Sequence, residues 1–224
     1  MITSVRVVVP AHDEERLIGA CLAALRTAAD LVDVPVAVLV VLDDCSDATA
    51  SICADHDVRT IAVPWRNVGA ARSIGFAGTP DASDLWLATT DADTRVSPEW
   101  LATQLLLADD GADAVLGVVD VDEWSAHSPG TRVAFGRLYD GTAPGTLDPH
   151  RHVHGANLGL RASTYRRVGG FAPLLVGEDH DLARRLDLDP TLTVARSTAV
   201  RATTSARSDP RAAGGFGDLL ATLV

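Results

Sequence analysis

Two carboxylates separated by one small residue, in Asp91-Ala92-Asp93, are the side chains of this chain best suited to chemistry. They follow an apolar run, 85–88, that predicts a buried strand, and Ser97-Pro98-Glu99 beyond them predicts the start of a helix. A loop between a strand end and a helix is where open α/β sheets bind ligands. Two neighbouring acids repel unless a cation offsets them, and Mg2+ is usually held by one or two carboxylates plus phosphate oxygens. Exposed turns also contain Asp-x-Asp, so the pair alone leaves both interpretations open.

Polar motifs follow the other apolar runs of the first half in the same way. The run 5–9 stops at Pro10, before an acidic loop. The run 36–42 stops at Asp43-Asp44, and the next run leads to Asn67. The carboxyl ends of parallel strands share one edge of a sheet. We therefore expect these motifs to converge on one ligand.

Between these runs, hydrophobic residues recur at helical spacing, which predicts a repeated strand, loop and helix unit. The predicted strands cover 5–9, 36–42, 58–63, 85–88 and 114–121, and the predicted helices cover 17–29, 48–54, 68–75 and 98–108. This alternation predicts an α/β fold with a mostly parallel central sheet and helices on both faces. The later elements expected are a short strand ending at 161, helices at 163–169 and 177–186, one or two edge strands after 191 and a terminal helix at 216–223.

The composition is that of an acidic, folded chain. Its 224 residues and 47% hydrophobic content suffice for one α/β domain. The net charge of −11 disfavours binding to nucleic acid, and because all 19 basic residues are arginine, a lysine nucleophile is excluded. The chain has three cysteines without a Cys-x-x-Cys pair and no run near ~20 apolar residues, and the run 5–9 is too short for the apolar core expected of a signal peptide. We expect a soluble, cytoplasmic protein, with peripheral membrane contact left open.

Six motifs taken together resemble the GT-A glycosyltransferases of family 2, of the small, soluble bacterial type. In chain order they are Pro10-Ala11-His12-Asp13-Glu14-Glu15, Asp43-Asp44-x-Ser46-Asp47-x-Thr49, Asn67-x-Gly69-x-x-Arg72-x-x-Gly75, Asp91-Ala92-Asp93, Gly155-Ala156-Asn157 and Glu178-Asp179. Each is common alone, but their order and spacing over about four fifths of the chain are much more specific. The resemblance implies a single GT-A (Rossmann-like) domain over 1–224, with a donor half, 1–110, and an acceptor half, 111–224.

The resemblance further implies that the first half binds a nucleoside-diphosphate-sugar donor. The donor-binding residues implied are Pro10, Ala11, His12, Glu14, Asp44, Asn67, Gly69, Arg72, Asp91 and Ala92. Pro10 and His12 match positions that flank the base, and Asp44 matches the acid that hydrogen-bonds it. Glu14 matches a residue near the ribose and diphosphate.

The same resemblance assigns the metal and the chemistry. Asp91 and Asp93 match a motif that binds Mg2+ or Mn2+, with Asp93 the more dependable ligand. Asp179 matches the proposed catalytic base. The residues implied on the acceptor side are Asn157, Glu178 and His154, although a loop-stabilising hydrogen bond suits Asn157 and a helix-capping role suits Glu178 equally well. Together they imply a metal-dependent, inverting transfer of one sugar to an acceptor hydroxyl on a small molecule, a lipid carrier or a glycan.

Two other functions remain open at this stage. A sugar-nucleotide nucleotidyltransferase also uses a parallel sheet and Mg2+, but it is expected to have a glycine-rich loop with a basic residue after the first strand, where this chain has 10–15. A non-catalytic nucleotide-sugar binding protein would not need Asp179.

Three histidines alternate in the second half. His150, His152 and His154 would share one face of an extended segment, which also suits a zinc site. No cysteine or fourth ligand at a suitable spacing supports zinc, and we favour a loop that contacts the acceptor. The chain also lacks a Gln-x-x-Arg-Trp motif after Glu178-Asp179, which argues against processive polysaccharide synthesis.

Overall fold

The first half of the chain alternates strands and helices as the apolar spacing predicts. The computed structural model describes residues 1–121, 124–125, 127–138, 150–207, 217, 220 and 222–223. The elements of this half are β1 (Ser4–Ala11), α1 (Ile18–Ala29), β2 (Val36–Asp43), α2 (Thr49–Asp55), β3 (Arg59–Val63), α3 (Val68–Phe76), β4 (Leu85–Thr89), β5 (Thr94–Val96) and α4 (Trp100–Asp109). Those of the second half are β6 (Ala114–Val121), α5 (Pro129–Leu138), β7 (Leu158–Arg161), α6 (Ala162–Arg167), α7 (Glu178–Asp187) and β8 (Val194–Thr204).

The eight described strands form one mixed sheet in the order β3-β2-β1-β4-β7-β6-β8-β5. The strands β1, β2, β3 and β4 are parallel, and β6 is parallel to β8. Only β7 and β5 run against their described neighbours. The expected mostly parallel sheet is therefore confirmed, and the carboxyl ends of β1, β2 and β4 meet at one edge.

Helices cover both faces of the sheet because side chains alternate along each strand. On β1, Val7 and Val9 belong to a buried cluster with Ile18 of α1, whereas Val8 belongs to a second cluster with Phe76 of α3. A Cβ atom added to Gly75 would lie 2.4 Å from the Val8 side chain, so α3 approaches the sheet more closely than a larger residue allows. The predicted α/β layering is confirmed.

The structure departs from the sequence prediction in three short regions. The strand β5 and the helix α5 were not predicted, since neither has a clear apolar period. The segment after 191 forms one long strand, β8, which lies inside the sheet between β6 and β5, so the expected edge strand is wrong. The predicted terminal helix falls largely outside the described residues. Within the described part of the chain, no helix has the length and apolar character needed to cross a membrane.

Candidate active site

A cavity of about 820 Å3 opens at the carboxyl ends of β1 and β4. Its volume is typical of a small-molecule site. The residues with predicted roles that line it are Pro10, Ala11, His12, Glu14, Asn67, Arg72, Asp91, Ala92, Asp93, His154, Glu178 and Asp179. The strand ends therefore converge, and segments from the two halves of the chain face one space.

Three described residues with predicted roles, Asp44, Gly69 and Asn157, lie outside the lining of this cavity. Asp44 has a positive φ of 55° and lines a smaller neighbouring pocket, where its carboxylate pairs with Arg66. Arg66 itself reaches the main cavity. Asp44 is therefore linked to the cavity through its ion pair with Arg66. Its own carboxylate does not line the space where the nucleotide base of a sugar donor was expected.

Gly69 supports the cavity wall from behind. A Cβ atom added there would lie 2.1 Å from the carbonyl oxygen of Ala172, and the Gly69 amide donates to the Leu174 carbonyl oxygen at 3.1 Å. Asn67 caps α3, because its side-chain oxygen accepts from the Ala70 amide. Its side-chain amide group donates to the Pro173 carbonyl oxygen. Asn67 and Gly69 therefore both hold α3 against the segment before α7.

Asn157, expected on the acceptor side, is instead a fully buried tie between strands. Its side-chain oxygen accepts from Trp100 Nε1 at 2.8 Å. Its amide nitrogen donates to the carbonyl oxygens of Val118 and Val200 at 2.8 and 2.9 Å. A polar group without solvent must find such partners. This geometry contradicts the predicted contact with an acceptor.

Asp43 organises the end of the cavity that is lined by His12 and Asn67. Its carboxylate accepts three backbone N–H groups, from Trp65, Arg66 and Asn67, each at 2.7 Å. The Asp43 carbonyl oxygen lies 2.7 Å from Nδ1 of His12. Because a carbonyl oxygen only accepts, Nδ1 carries the proton, and this bond fixes the ring at the cavity wall.

Arg72 joins the two acidic motifs across the cavity floor. Its guanidinium donates to Asp91 Oδ1 at 2.6 Å, to Glu178 Oε1 at 3.0 Å and to the Thr89 hydroxyl at 2.7 Å. The side chain is only 2% exposed. Burial raises the pKa of Glu178, while the charge of Arg72 opposes this. A Cβ atom at Gly155 would collide with the Arg72 guanidinium, so the Gly155 position leaves room for the arginine.

Asp93 also lines the cavity. Burial raises its pKa to about 6, against the opposing charge of Arg207. Its Oδ1 atom accepts from the hydroxyls of Thr94 and Thr204, and its Oδ2 atom lies 3.0 Å from Arg207. The Arg207 guanidinium also pairs with Glu14 at 2.7 Å.

Asp179 lies in the first turn of α7, after Gly177, which has a φ of 77°. Its Oδ2 atom accepts from the Gly155 amide at 2.7 Å and its Oδ1 atom accepts from the His180 amide at 2.8 Å. These two bonds fix the carboxylate plane at the cavity edge. Each oxygen keeps a second lone pair for another hydrogen atom.

The three alternating histidines form a stack that ends at the cavity. The ring centroids of His150 and His152 are 5.8 Å apart, and those of His152 and His154 are 6.1 Å apart. His150 Nε2 lies 3.1 Å from the Leu116 carbonyl oxygen, deep in the fold. Burial lowers the pKa of His154 to about 3, so its ring is neutral at physiological pH. Among the described residues, no group of three or more His, Cys, Asp and Glu side chains is arranged to hold a metal ion.

The carboxylates of Asp91 and Asp93 are chemically suited to bind a hard divalent cation. Both side chains offer carboxylate oxygens to the cavity, which Mg2+ and Mn2+ prefer. In this structure each carboxylate is also paired with an arginine, Asp91 with Arg72 and Asp93 with Arg207. A cation at Asp93 must therefore share or replace the Arg207 contact.

Sequence reasoning assigned no role to two of these residues. Asp43 stands beside Asp44, and the sequence alone does not show which of two adjacent acids turns inward. Arg207 follows β8, whose pairing with β5 places Thr204 beside Thr94. No local pattern marks Arg207, because its role depends on a pairing between segments 110 residues apart.

Comparison with known proteins places the chain in a family. A model of the family described as Glycosyl transferase family 2 matches residues 6–168. No curated protein sequence matches the chain.

Solved structures share the fold at low sequence identity. TarS 1-349 of S. aureus, in complex with UDP-GlcNAc, is 14% identical, with a TM-score of 0.67 over 93% of this chain and 60% of that one. The mannosyltransferase PcManGT of Pyrobaculum calidifontis, in complex with GDP-Man and Mn2+, is 19% identical, with a TM-score of 0.69 over 94% and 59%. Glucosyl-3-phosphoglycerate synthase of Mycobacterium tuberculosis, with Mn2+ and UDP, is 18% identical, with a TM-score of 0.56 over 93% and 73%. The chain thus spans about 60% of the first two proteins.

Proposed function

The chain belongs to glycosyl transferase family 2, and from this premise we propose that it transfers one sugar from a nucleoside-diphosphate-sugar to an acceptor hydroxyl. The observation that carries the proposal is that Asp93 and Asp179, far apart in sequence, line one cavity. Asp93 is a candidate ligand for a cation near a diphosphate, and the Asp179 carboxylate can face the hydroxyl group of an alcohol. Structural relatives solved with UDP-GlcNAc and with GDP-Man support a donor of this class.

The donor half of the proposal rests on the strand ends of β1 and β4. His12 is oriented by the Asp43 carbonyl oxygen and offers a ring face for stacking against a base. Arg66 reaches the same cavity and holds Asp44 beside it. The diphosphate is then directed toward Asp91 and Asp93.

We assign Asp93 and Asp91 as the residues that would hold Mg2+ or Mn2+. When bound, such an ion supplies Lewis-acid stabilisation of the negative charge on the leaving diphosphate. Two of the structural relatives were solved with Mn2+, which supports this assignment. Arg72 keeps Asp91 in place through the bond from its guanidinium to Oδ1.

Asp179 is the proposed base. It accepts the proton of the acceptor hydroxyl as that oxygen forms a bond to the anomeric carbon. The bond from that carbon to the diphosphate oxygen breaks in the same displacement, which inverts the anomeric configuration. The Gly155 and His180 amides orient the carboxylate without occupying all of its lone pairs.

A panel of UDP-, GDP-, ADP- and dTDP-sugars tests the proposal. The protein is incubated with each donor, with Mn2+ or with EDTA, and released nucleoside diphosphate is measured with and without candidate alcohol acceptors. We expect release from one donor class, dependent on Mn2+ and lost in Asp93→Asn. Release of pyrophosphate would instead indicate a nucleotidyltransferase, and donor binding without turnover would indicate a binding protein.

A further inference from the structure

Arg207 lies 3.0 Å from Asp93, the residue proposed above to hold a divalent cation. We propose that Arg207 competes with the cation for Asp93, so that a metal ion binds there only by displacing the guanidinium. The inference rests on the proposed function for the identity of the cation site. It adds a residue outside the Asp91-Ala92-Asp93 motif that sets the affinity of that site.

The first argument is the set of contacts that Arg207 makes. Its guanidinium grips both carboxylate oxygens of Glu14, at 2.8 Å from one nitrogen and 2.7 Å from the other. The second of these nitrogens also lies 3.0 Å from Asp93 Oδ2. A planar guanidinium suits such a two-point contact with a carboxylate. Arg207 thus bridges two buried acids that would otherwise repel each other.

The second argument concerns the other oxygen of Asp93. Its Oδ1 atom lies 3.3 Å from the Thr94 hydroxyl and 3.5 Å from the Thr204 hydroxyl. Both threonines are fixed by the pairing of β5 with β8, in which Thr94 faces Thr204. Oδ2 is the oxygen that faces Arg207, and a cation that uses it meets the guanidinium directly.

The third argument is the repulsion between like charges at Asp93. Four acids, Glu14, Asp91, Asp93 and Glu178, are paired with only two arginines, so the cluster keeps two uncompensated negative charges that attract a cation. A cation bound to Oδ2 of Asp93 would nevertheless lie close to the positive guanidinium of Arg207. This repulsion opposes binding while Arg207 stays in place, and it is removed when the cation takes the place of the guanidinium.

The two arginines differ in how easily they can leave. Arg72 is 2% exposed and is held by Asp91, Glu178 and Thr89. Arg207 is 24% exposed and follows the last residue of β8 by three positions. Rotation about its side-chain bonds can withdraw the guanidinium into the cavity without any change in the sheet. Arg207 is therefore the residue that yields to a cation.

Direct measurement of Mn2+ binding tests the inference independently of turnover. Isothermal titration calorimetry on the full chain would compare the parent protein with Arg207→Met, Arg207→Gln and Arg207→Lys. We expect the two neutral variants to bind Mn2+ at least about tenfold more tightly, because a competing charge is gone and Glu14 becomes available. The lysine variant keeps the charge and is expected to stay close to the parent.

Two further variants locate the effect. Arg196→Met is the matched control, since Arg196 lies on β8, the strand that precedes Arg207, is 17% exposed and pairs with Asp187 away from the cavity. It should leave Mn2+ affinity unchanged. Asp93→Asn added to Arg207→Gln should abolish the gain. Circular dichroism confirms that each variant is folded, and the glutamine variant, which keeps a hydrogen-bond donor, guards against loss of fold in the methionine variant.

Equal Mn2+ affinity in the parent and in the folded neutral variants would overturn the inference, and so would failure of every variant to bind Mn2+. The proposed function is tested separately, by measuring the release of nucleoside diphosphate in the presence of EDTA or of Mn2+. Turnover that is insensitive to EDTA would contradict the metal role in that function. Tighter Mn2+ binding without any turnover would support the Arg207 competition and contradict the enzyme.

Discussion

The Nε atom of Arg72 donates a hydrogen bond to Glu178 Oε1 at 3.0 Å, across 106 residues of the chain. Both side chains are buried, and they come from helices in the two halves of the fold. The same guanidinium bonds to Asp91 at the end of β4. One buried cation therefore fixes the relative position of the Asp91-Ala92-Asp93 motif and the helix that carries Asp179.

Replacement of Arg72 by Met should destabilise the protein. It leaves the Glu178 carboxylate buried without its charged partner, and breaking a buried pair in this way typically costs about 3–5 kcal/mol. Urea denaturation measures the change in the free energy of unfolding. Arg167→Met is the control, since Arg167 is 53% exposed in its pair with Asp189 and a surface pair is worth at most about 1 kcal/mol. Similar losses in both variants would contradict the structural role of Arg72.

Asp179→Asn should abolish most of the transfer activity without weakening donor binding. The amide keeps the size of the carboxylate but cannot take a proton, and loss of a general base lowers the rate by roughly 10²- to 10⁴-fold. Steady-state rates and nucleotide titration of the same preparation separate the two effects. Asp181→Asn, two residues along α7, removes an acid that pairs with Arg184 and Arg185, and should keep the parent rate. A parent-like rate in Asp179→Asn would exclude the proposed base.

The sequence predicts the first half of the fold well because the signals there are local. Apolar runs and helical spacing lie within single elements, and strand ends in a parallel sheet converge whatever the rest of the chain does. For this reason the sequence alone predicts that Asp91, Asp93 and Glu14 lie near one another. The short strand β5 has three residues and carries no period, so the pairing that brings Thr204 and Arg207 to Asp93 could not be read.

The acceptor half shows why residue type alone is a weaker guide. An asparagine in a loop after a histidine motif can bind a ligand, or it can be buried and hydrogen-bond to neighbouring elements. Which of the two roles it takes depends on the groups that surround its side chain in the fold. Trp100, Val118 and Val200 face Asn157, and they come from three elements distant in sequence. For Asp43 and Asp44 the choice depends on a positive φ of 55° at Asp44, which turns one acid away from the other.

Asn157→Ala should therefore affect stability and not donor or acceptor recognition. It removes the partner of the Trp100 N–H and one donor to each of two backbone carbonyls in the core, with a cost of about 3–4 kcal/mol. For a chain of this size that corresponds to a fall in Tm of roughly 10 °C. Thr27→Ala, which removes an exposed hydroxyl bonded to the Ala23 carbonyl oxygen, is the control and should change stability little. A raised KM for acceptor with an unchanged Tm would restore the acceptor-side interpretation.

His154 should make the protein less stable in acid. Its pKa in the folded state is lowered to about 3 by burial, whereas the ordinary value is 6.5. Between these values the unfolded chain binds a proton that the folded chain does not, so the stability contribution is complete above pH 6.5 and is lost as the pH falls. The slope from one such group approaches ~1.4 kcal/mol per pH unit.

His154→Gln removes this contribution. Urea denaturation at pH 7.5 and pH 5 gives the loss of stability in acid for each protein, and the loss should be smaller in the variant by up to about 2 kcal/mol. Burial also lowers the pKa values of His150 and His152, so the variant keeps part of the acid sensitivity. Any change in packing caused by the substitution acts at both pH values and cancels in the comparison. Equal losses in the two proteins would show that His154 takes up a proton in the folded state as readily as in the unfolded chain.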